Sequence, residues 1–281
     1  QISISGDVSV AGTPLTPGGR VLLLGDRVGL VGATVDASGG TGGGQILVGG
    51  DAHGQGTLPK SIFTNIDAGT MLKADALNLG NGGKIVAWSD GSTTFQGMAS
   101  AQGGTTGGNG GFIEISGKEH LNLGHWFDRI HLGALQGEAG TLLFDPIDIT
   151  IAPGSGSKPI GGSGDTTINN PSTLYANDIS TFLDSPTGGN LTITTTNPAY
   201  SNNGDITMSN ASISWTTGNS LTLNADRSIT LNNATISNTG SGSITLQANT
   251  AGTSPGAFTG INLQGTSQLS TNTGKISLTG I

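Results

Sequence analysis

The feature that most limits this chain is a short aliphatic skeleton that keeps returning. In GDRVGLVGATVDASGG (25–40), Val28 and Leu30 alternate, two residues intervene, and Ala33, Thr34 and Val35 follow. DRSITLNNATIS repeats this with Ile229, Leu231, Ala234, Thr235 and Ile236, and GDITMSNASIS with Ile206, Met208, Ala211, Ser212 and Ile213. A degraded copy runs through Ile261, Leu263, Thr266 and Leu269. Each copy is followed by another alternating pair: Ile46/Val48, Leu221/Leu223, Ile244/Leu246 and Ile276/Leu278.

Alternation at a period of two points one side chain of each pair inward, and a two-residue interruption bends the chain and restarts the pattern on a new face. Three short strands and a polar loop of varying length make a coil of roughly twenty to thirty residues, which must stack because one coil cannot bury its own inward side chains. Stacking at about 4.8 Å places like residues above one another. The spacing predicts an all-β fold, a right-handed parallel β-helix (β-solenoid) with three short strands per rung. The competing β-sandwich requires hairpin turns between equal strands, and such signals are scarce here.

Composition fits this. The 281 residues include 50 glycines, about twice the usual share. There is no Gly-X-Y period and only 10 prolines, which excludes collagen. A 33% hydrophobic content in short runs and only 10% charged residues argue against disorder. Glycine suits corners that need positive φ or close backbone approach. Asparagine pairs such as Asn202–Asn203 and Asn232–Asn233 suit bonding along the axis.

Strand cores are expected at 21–24, 46–48, 85–88, 112–115 and 141–144. The organisation reads as a Gly-rich segment 1–151, a low-complexity interruption 152–172 and an Asn/Thr-rich segment 173–281, together one continuous solenoid. One short helix is expected near 172–183, with Ser172 as N-cap and Tyr175, Ile179, Phe182 and Leu183 on one face. The chain opens in strand-like sequence, QISISGDVSV, with no signal peptide, and reads as a mature product or an internal piece cut through rungs at both ends. Exposed strand edges are expected there.

Several classes are disfavoured. No cysteine is present, so neither disulfides nor thiolate metal sites are expected. A net charge of −8, with no Lys/Arg cluster, argues against nucleic acid. The longest apolar runs, such as VLLL at 21–24, are too short to span a bilayer.

The run GGRVLLLGDRVGLVGATVDASGGTGGGQILVGGDAHGQG resembles the repeat region of filamentous haemagglutinin-like exoproteins of the two-partner secretion pathway. So do GNGGKIVAWSDGSTTFQGMASAQGG, GNGGFIEISGKEHL and AGTLLFDPIDITI, in that order, and the later GDITMSNASISWTTGNSLTLNADRSITLNNATIS. The resemblance covers nearly the whole chain. It implies secretion through an outer-membrane partner pore to the cell surface or medium, a β-helical shaft, and roles in adhesion, biofilm or contact with other cells and their glycans. The amino-terminal secretion domain with its Asn-Pro motifs is not found, and NPAY at 197–200 is not one. The chain reads as shaft rather than secretion head. A cysteine-free, weakly charged chain suits unfolded passage through a pore.

Candidate chemistry is sparse. KEHLNLGHWFDRIHLG gathers Glu119, His120, His125, Asp128 and His131, types that bind divalent metals, but at spacings that match no compact ligand pattern. A polar loop with contacts around Trp126 and Phe127 is the favoured reading. Asp26, Arg27, Asp36 and Asp51 could serve a polysaccharide-cleaving β-helix. The counterpart Asp226–Arg227 at the matching rung position instead suggests a repeated structural ion pair or corner. GGSGD at 161–165 has its Asp one position early for a calcium-binding nonapeptide, and GGK (82–84) and GK (117–118) lack the rest of a phosphate loop. Asn190, Asn210 and Asn233 stand in N-x-S/T triplets, and some adhesins of the resembled family carry sugars there. No catalytic residue, cofactor or metal is assigned. The expected role is an extracellular adhesive shaft. The alternatives are a filament subunit stacking end to end through open rungs and a glycan-active enzyme, which requires a groove with converging carboxylates.

Overall fold

The computed structural model describes residues 1–156, 172–195, 204–254 and 256–281. The stretch GGSGD, the pair Asn202–Asn203 and NPAY lie outside the described residues. The chain divides into two compact units, Gln1–Phe144 with Pro186–Asn190, and Asp145–Ser185 with Leu191–Ile281.

The first unit is five rungs of three strands. They are β1 (Ile2–Ile4), β2 (Asp7–Ser9) and β3 (Arg20–Leu23); β4 (Arg27–Leu30), β5 (Thr34–Asp36) and β6 (Gln45–Val48); and β7 (Phe63–Ile66), β8 (Met71–Lys73) and β9 (Lys84–Ser89). Next come β10 (Ser92–Phe95), β11 (Met98–Ser100) and β12 (Phe112–Gly117), then β13 (His120–Leu123), β14 (Ile130–His131) and β15 (Thr141–Phe144). Like strands of successive rungs form three sheets, ordered β1-β4-β7-β10-β13, β2-β5-β8-β11-β14 and β3-β6-β9-β12-β15. The pairing is parallel, for example Val28 beside Ile2 and Val35 beside Leu72. This is a parallel β-solenoid, and the hairpin-based sandwich does not occur.

The register turns the sequence pattern into columns. Val21, Ile46, Ile85, Ile113 and Leu142 share one inward column of the third sheet. All five are buried. Each such aliphatic side chain contributes about 1.5–3 kcal/mol by leaving water. Inward Thr64 and Thr93 interrupt the first sheet's column, and each is satisfied locally. Thr64 Oγ1 donates to the Trp88 carbonyl at 2.7 Å and meets Ser61 Oγ at 2.9 Å. Thr93 Oγ1 donates to the Ser116 carbonyl at 2.8 Å and meets Ser89 Oγ at 2.8 Å.

The corner before the third sheet explains much of the glycine. Gly44, Gly83, Gly111 and Gly140 each lie against the carbonyl of the equivalent glycine one rung before, where a Cβ would overlap it. Their N–H groups donate across the rung to Ala37, Ala74, Ala101 and Leu132 at 2.7–2.8 Å. Close approach, not positive φ, excludes side chains at this corner. Positive φ is needed at the bend between the first and second sheets, at Gly32 (φ 62°).

The second unit begins with β16 (Ile149–Ala152) and β17 (Ser172–Tyr175), followed by α1 (Ala176–Asp184) and β18 (Asn190–Thr195). Three full rungs follow: β19 (Ile206–Ser209), β20 (Ser212–Trp215) and β21 (Leu221–Ala225); β22 (Ile229–Asn232), β23 (Thr235–Asn238) and β24 (Ile244–Ala248); β25 (Ile261–Gln264), β26 (Gln268–Thr271) and β27 (Ile276–Gly280). The sheets run β17-β16-β19-β22-β25, β20-β23-β26 and β18-β21-β24-β27. β16 lies between β17 and β19, so the first sheet departs from chain order.

Ser172 is not a helix cap: it is the first residue of β17, and the helix begins four residues later behind Tyr175, which makes no side-chain cap. Pairing of Ser172–Tyr175 with β16 wins over the local capping preference. Ile179, Phe182 and Leu183 are buried as expected. The helix lies along β20 and takes up N–H groups that a strand would have paired. Ser214 N donates to Ser180 Oγ at 3.0 Å and Thr216 N to Asp184 Oδ1 at 2.7 Å.

The repeated skeleton packs as a core. Ile206, Met208, Ile213, Ile229, Leu231, Ala234 and Ile236 have no exposed surface. The inward positions of the last rung are partly open, with Leu263 41%, Ile276 40% and Leu278 50% exposed. Bends of this unit use Asn210 (φ 50°), Asn233 (φ 48°) and Gly265 (φ 62°), residue types that accept the left-handed region. Asn233 Nδ2 reaches Asn210 Oδ1 at 3.5 Å, an axial contact of the kind expected from the asparagine pairs.

Candidate functional site

A concave surface of the first unit follows the glycine corner. A shallow trough of about 810 Å³ is floored by Gly18, Gly19, Gly43, Gly44, Gly82, Gly83, Gly110 and Gly111. Its wall is the first outward residue of successive third-sheet strands, Arg20, Gln45, Lys84 and Phe112, aligned by register. Arg20 is exposed and the other three are half-buried. Among the described residues, neither the Arg20 guanidinium nor the Gln45 amide makes a hydrogen bond, which leaves both open to a ligand.

Lys84 is held. Its Nζ donates to Asp51 Oδ1 at 2.7 Å, and the same oxygen accepts from Ala52 N at 2.7 Å. The Lys84 hydrogen bond, then the Ala52 N–H, lower the Asp51 pKa below its ordinary value, with Arg20 adding attraction. Asp51 thus carries a fixed negative charge beside the trough. Asn81 also lines it, and its Oδ1 accepts from Asn109 N at 2.8 Å.

Beside this column the loop after β6 straps the outer face. Ala52 and Leu58 cover Leu47, Val86 and Trp88. Glu114 lies fully buried under the same loop, its carboxylate accepting from His53 N. A Cβ on Gly54 would overlap the Trp88 indole, so the loop needs glycine there.

The residues singled out in the sequence are dispersed. Arg27 is in the first sheet, Asp36 in the second and Asp51 in the strap over the third, so no shared groove unites them. Asp36 Oδ1 accepts from Ser38 N at 2.8 Å, closing a local turn, and Asp26 offers its carbonyl to Ile62 and Phe63. Asp226 and Arg227 stand at a bend, the corner reading, and Arg227 Nη1 bonds Asp205 Oδ2 at 3.0 Å. What recurs is arginine over phenylalanine, Arg27 on Phe63 at 4.4 Å and Arg227 on Phe258 at 5.4 Å.

The histidine-rich loop is also opened out. His120 lies in β13 of the first sheet, His131 in β14 of the second, and His125 is exposed on the loop between. Trp126 turns inward, its ring 5.0 Å from that of Phe144, while His125 and Phe127 meet edge to face at 5.7 Å. Among the described residues no three His, Cys, Asp or Glu side chains gather as a metal site. Asn190 Nδ2 is engaged by the Ala139 carbonyl at 3.1 Å, whereas Asn210 and Asn233 stand exposed at their bends. No described helix is long and apolar enough to cross a membrane.

Comparison with protein-family models finds no match, and comparison with curated proteins finds none either.

The trough went unrecognised in the sequence, although its signal is there: a G-G-x-aliphatic tetrad at Gly18, Gly43, Gly82 and Gly110. Glu114 and the strap carried no signal, since a lone acidic residue in a strand reads as an outward, solvated one.

Proposed function

We propose that the chain is a β-helical shaft of a secreted, filamentous haemagglutinin-like adhesin, acting at the cell surface in attachment or biofilm. The observation that carries this reading is the contrast between inward and outward columns. In the second unit inward positions are largely aliphatic, while outward ones present short hydroxyl and amide groups in ladders. Thr173, Thr150, Thr207, Thr230 and Asn262 form one such ladder, and Thr192, Thr222, Thr245 and Ser277 another. Thr150 and Thr207 hydroxyls lie 3.3 Å apart. Such faces suit repeated weak contacts with another surface. The ordered motifs that resemble the exoprotein repeats fall on successive rungs, which supports the same reading.

The test is attachment. Beads coated with the purified chain should bind to bacterial or epithelial monolayers well above beads coated with an unrelated acidic protein. Equal binding would remove the adhesive role. Co-expression with an outer-membrane partner pore, after fusion to a secretion domain, should deliver the chain to the medium; retention in the periplasm would count against the export route.

A further inference from the structure

Resting on the adhesive reading above, we propose that the trough of the first unit binds a linear, uncharged polysaccharide laid along the solenoid axis, one sugar per rung. Arg20, Gln45, Lys84 and Phe112 present one group each over four consecutive rungs, a span of about 14 Å at the inter-strand spacing. The floor is bare backbone, so a chain of rings can lie close against it.

The chemistry of the wall selects the class of ligand. Sugar hydroxyls both donate and accept. Arg20 and Gln45 supply open donors, and the Gln45 amide oxygen and the Asp51 carboxylate supply acceptors. Phe112 offers a half-buried ring against which the C–H face of a pyranose can stack. A polyanion gains little: the Asp51 carboxylate offsets the Lys84 ammonium, which leaves Arg20 the one uncompensated cation of the wall, and the whole chain carries a net charge of −8. A peptide added as a strand also fits poorly, because the backbone here is already paired. Gly44 N donates to Ala37 O, Gln45 N to Gly19 O, Lys84 N to Gly44 O and Phe112 N to Gly83 O, at 2.8–2.9 Å.

The test is calorimetric titration of the full chain with hexasaccharides of β-1,4-linked glucose, β-1,4-linked N-acetylglucosamine and α-1,4-linked glucose, with polygalacturonate as the acidic comparison. At least one neutral hexasaccharide should bind, and the affinity should hold when salt is raised to about 1 M, where charge attraction is screened. Arg20→Ala and Gln45→Ala, both on the outer surface, should each weaken it by about tenfold or more with an unchanged unfolding transition. Phe112→Ala should abolish it. Binding by none of the neutral hexasaccharides, a preference for polygalacturonate that salt removes, or affinity indifferent to Arg20→Ala and Gln45→Ala would each overturn the proposal. The bead assay separates the two readings. Beads that attach without any hexasaccharide binding leave the adhesive role standing and the trough excluded. Hexasaccharide binding without attachment does the reverse.

Discussion

The peptide N–H of His53 donates to both carboxylate oxygens of Glu114, at 3.0 and 3.1 Å, across 61 residues of sequence. His53 stands in the left-handed region (φ 54°) on the strap, and Glu114 is fully buried on the outer face of the third sheet. One carboxylate thus fastens a loop from one rung over a strand two rungs away.

Replacing Glu114 by alanine removes the acceptor and leaves the His53 N–H with its desolvation unrepaid. The cost should be about 1–3 kcal/mol in urea unfolding. The Trp88 indole, packed beneath the strap, should report it as a red-shifted emission. An unaltered midpoint with unaltered emission would mean that the strap is held without Glu114.

The glycine corner predicts a sharp asymmetry between substitutions. Gly83→Ala puts a Cβ into the Gly44 carbonyl, and neither backbone can yield without breaking two rungs, so the loss should exceed about 3 kcal/mol or abolish folding. Gly6→Ala meets nothing within 4 Å and should be neutral or stabilise by up to about 1 kcal/mol. Thermal unfolding of the two variants decides the matter.

Acid should weaken the first unit through Asp67. Its Oδ1 accepts from Gly32 N at 2.9 Å, from Gly69 N at 3.2 Å and from Thr70 Oγ1 at 2.8 Å. The Gly32 hydrogen bond is the main cause of a folded-state pKa below the ordinary 3.8. A pKa depressed on folding stabilises the folded state above the unfolded value and ceases to do so as pH falls through the folded one. Stability should therefore decline below about pH 4, and Asp67→Asn should flatten that part of the profile. A melting temperature with the same acid slope in both proteins would refute the assignment. Asp51, depressed by Lys84, should add to the same slope.

At the bend between β22 and β23, Asn233→Gly keeps the left-handed backbone without strain and loses only exposed side-chain bonds, among them the one Oδ1 accepts from Thr266 N at 3.2 Å, so it should cost no more than about 1 kcal/mol. Asn233→Val loses the same bonds and should cost about 1–2 kcal/mol more from the strained backbone. Equal midpoints for the two variants in urea would show that the bend adapts.

Much of the core was legible residue by residue. Val28, Leu30, Val35, Ile229, Leu231 and Ile236 are inward because an extended chain alternates its faces whatever surrounds it, and a period of two is visible locally. The bends were legible for a similar reason: asparagine and glycine adopt the left-handed region at low cost, so Asn210, Asn233 and Gly265 mark the turns themselves. Ser172 shows the limit of such reading. Its capping preference is worth about a kilocalorie, which pairing with Ile149 outweighs.

What the amino-acid sequence determined alone is the parallel coil: which residues face inward, and where the chain bends. Tertiary structure decided which rungs became neighbours. It set β16 between β17 and β19, drew Arg227 to Asp205 one rung before, closed the strap on Glu114, and aligned Arg20, Gln45, Lys84 and Phe112 along one trough. The inward pattern follows from local backbone geometry. The neighbours follow from stacking register across loops of unequal length, and a register that joins residues tens of positions apart exists only once the rungs have packed.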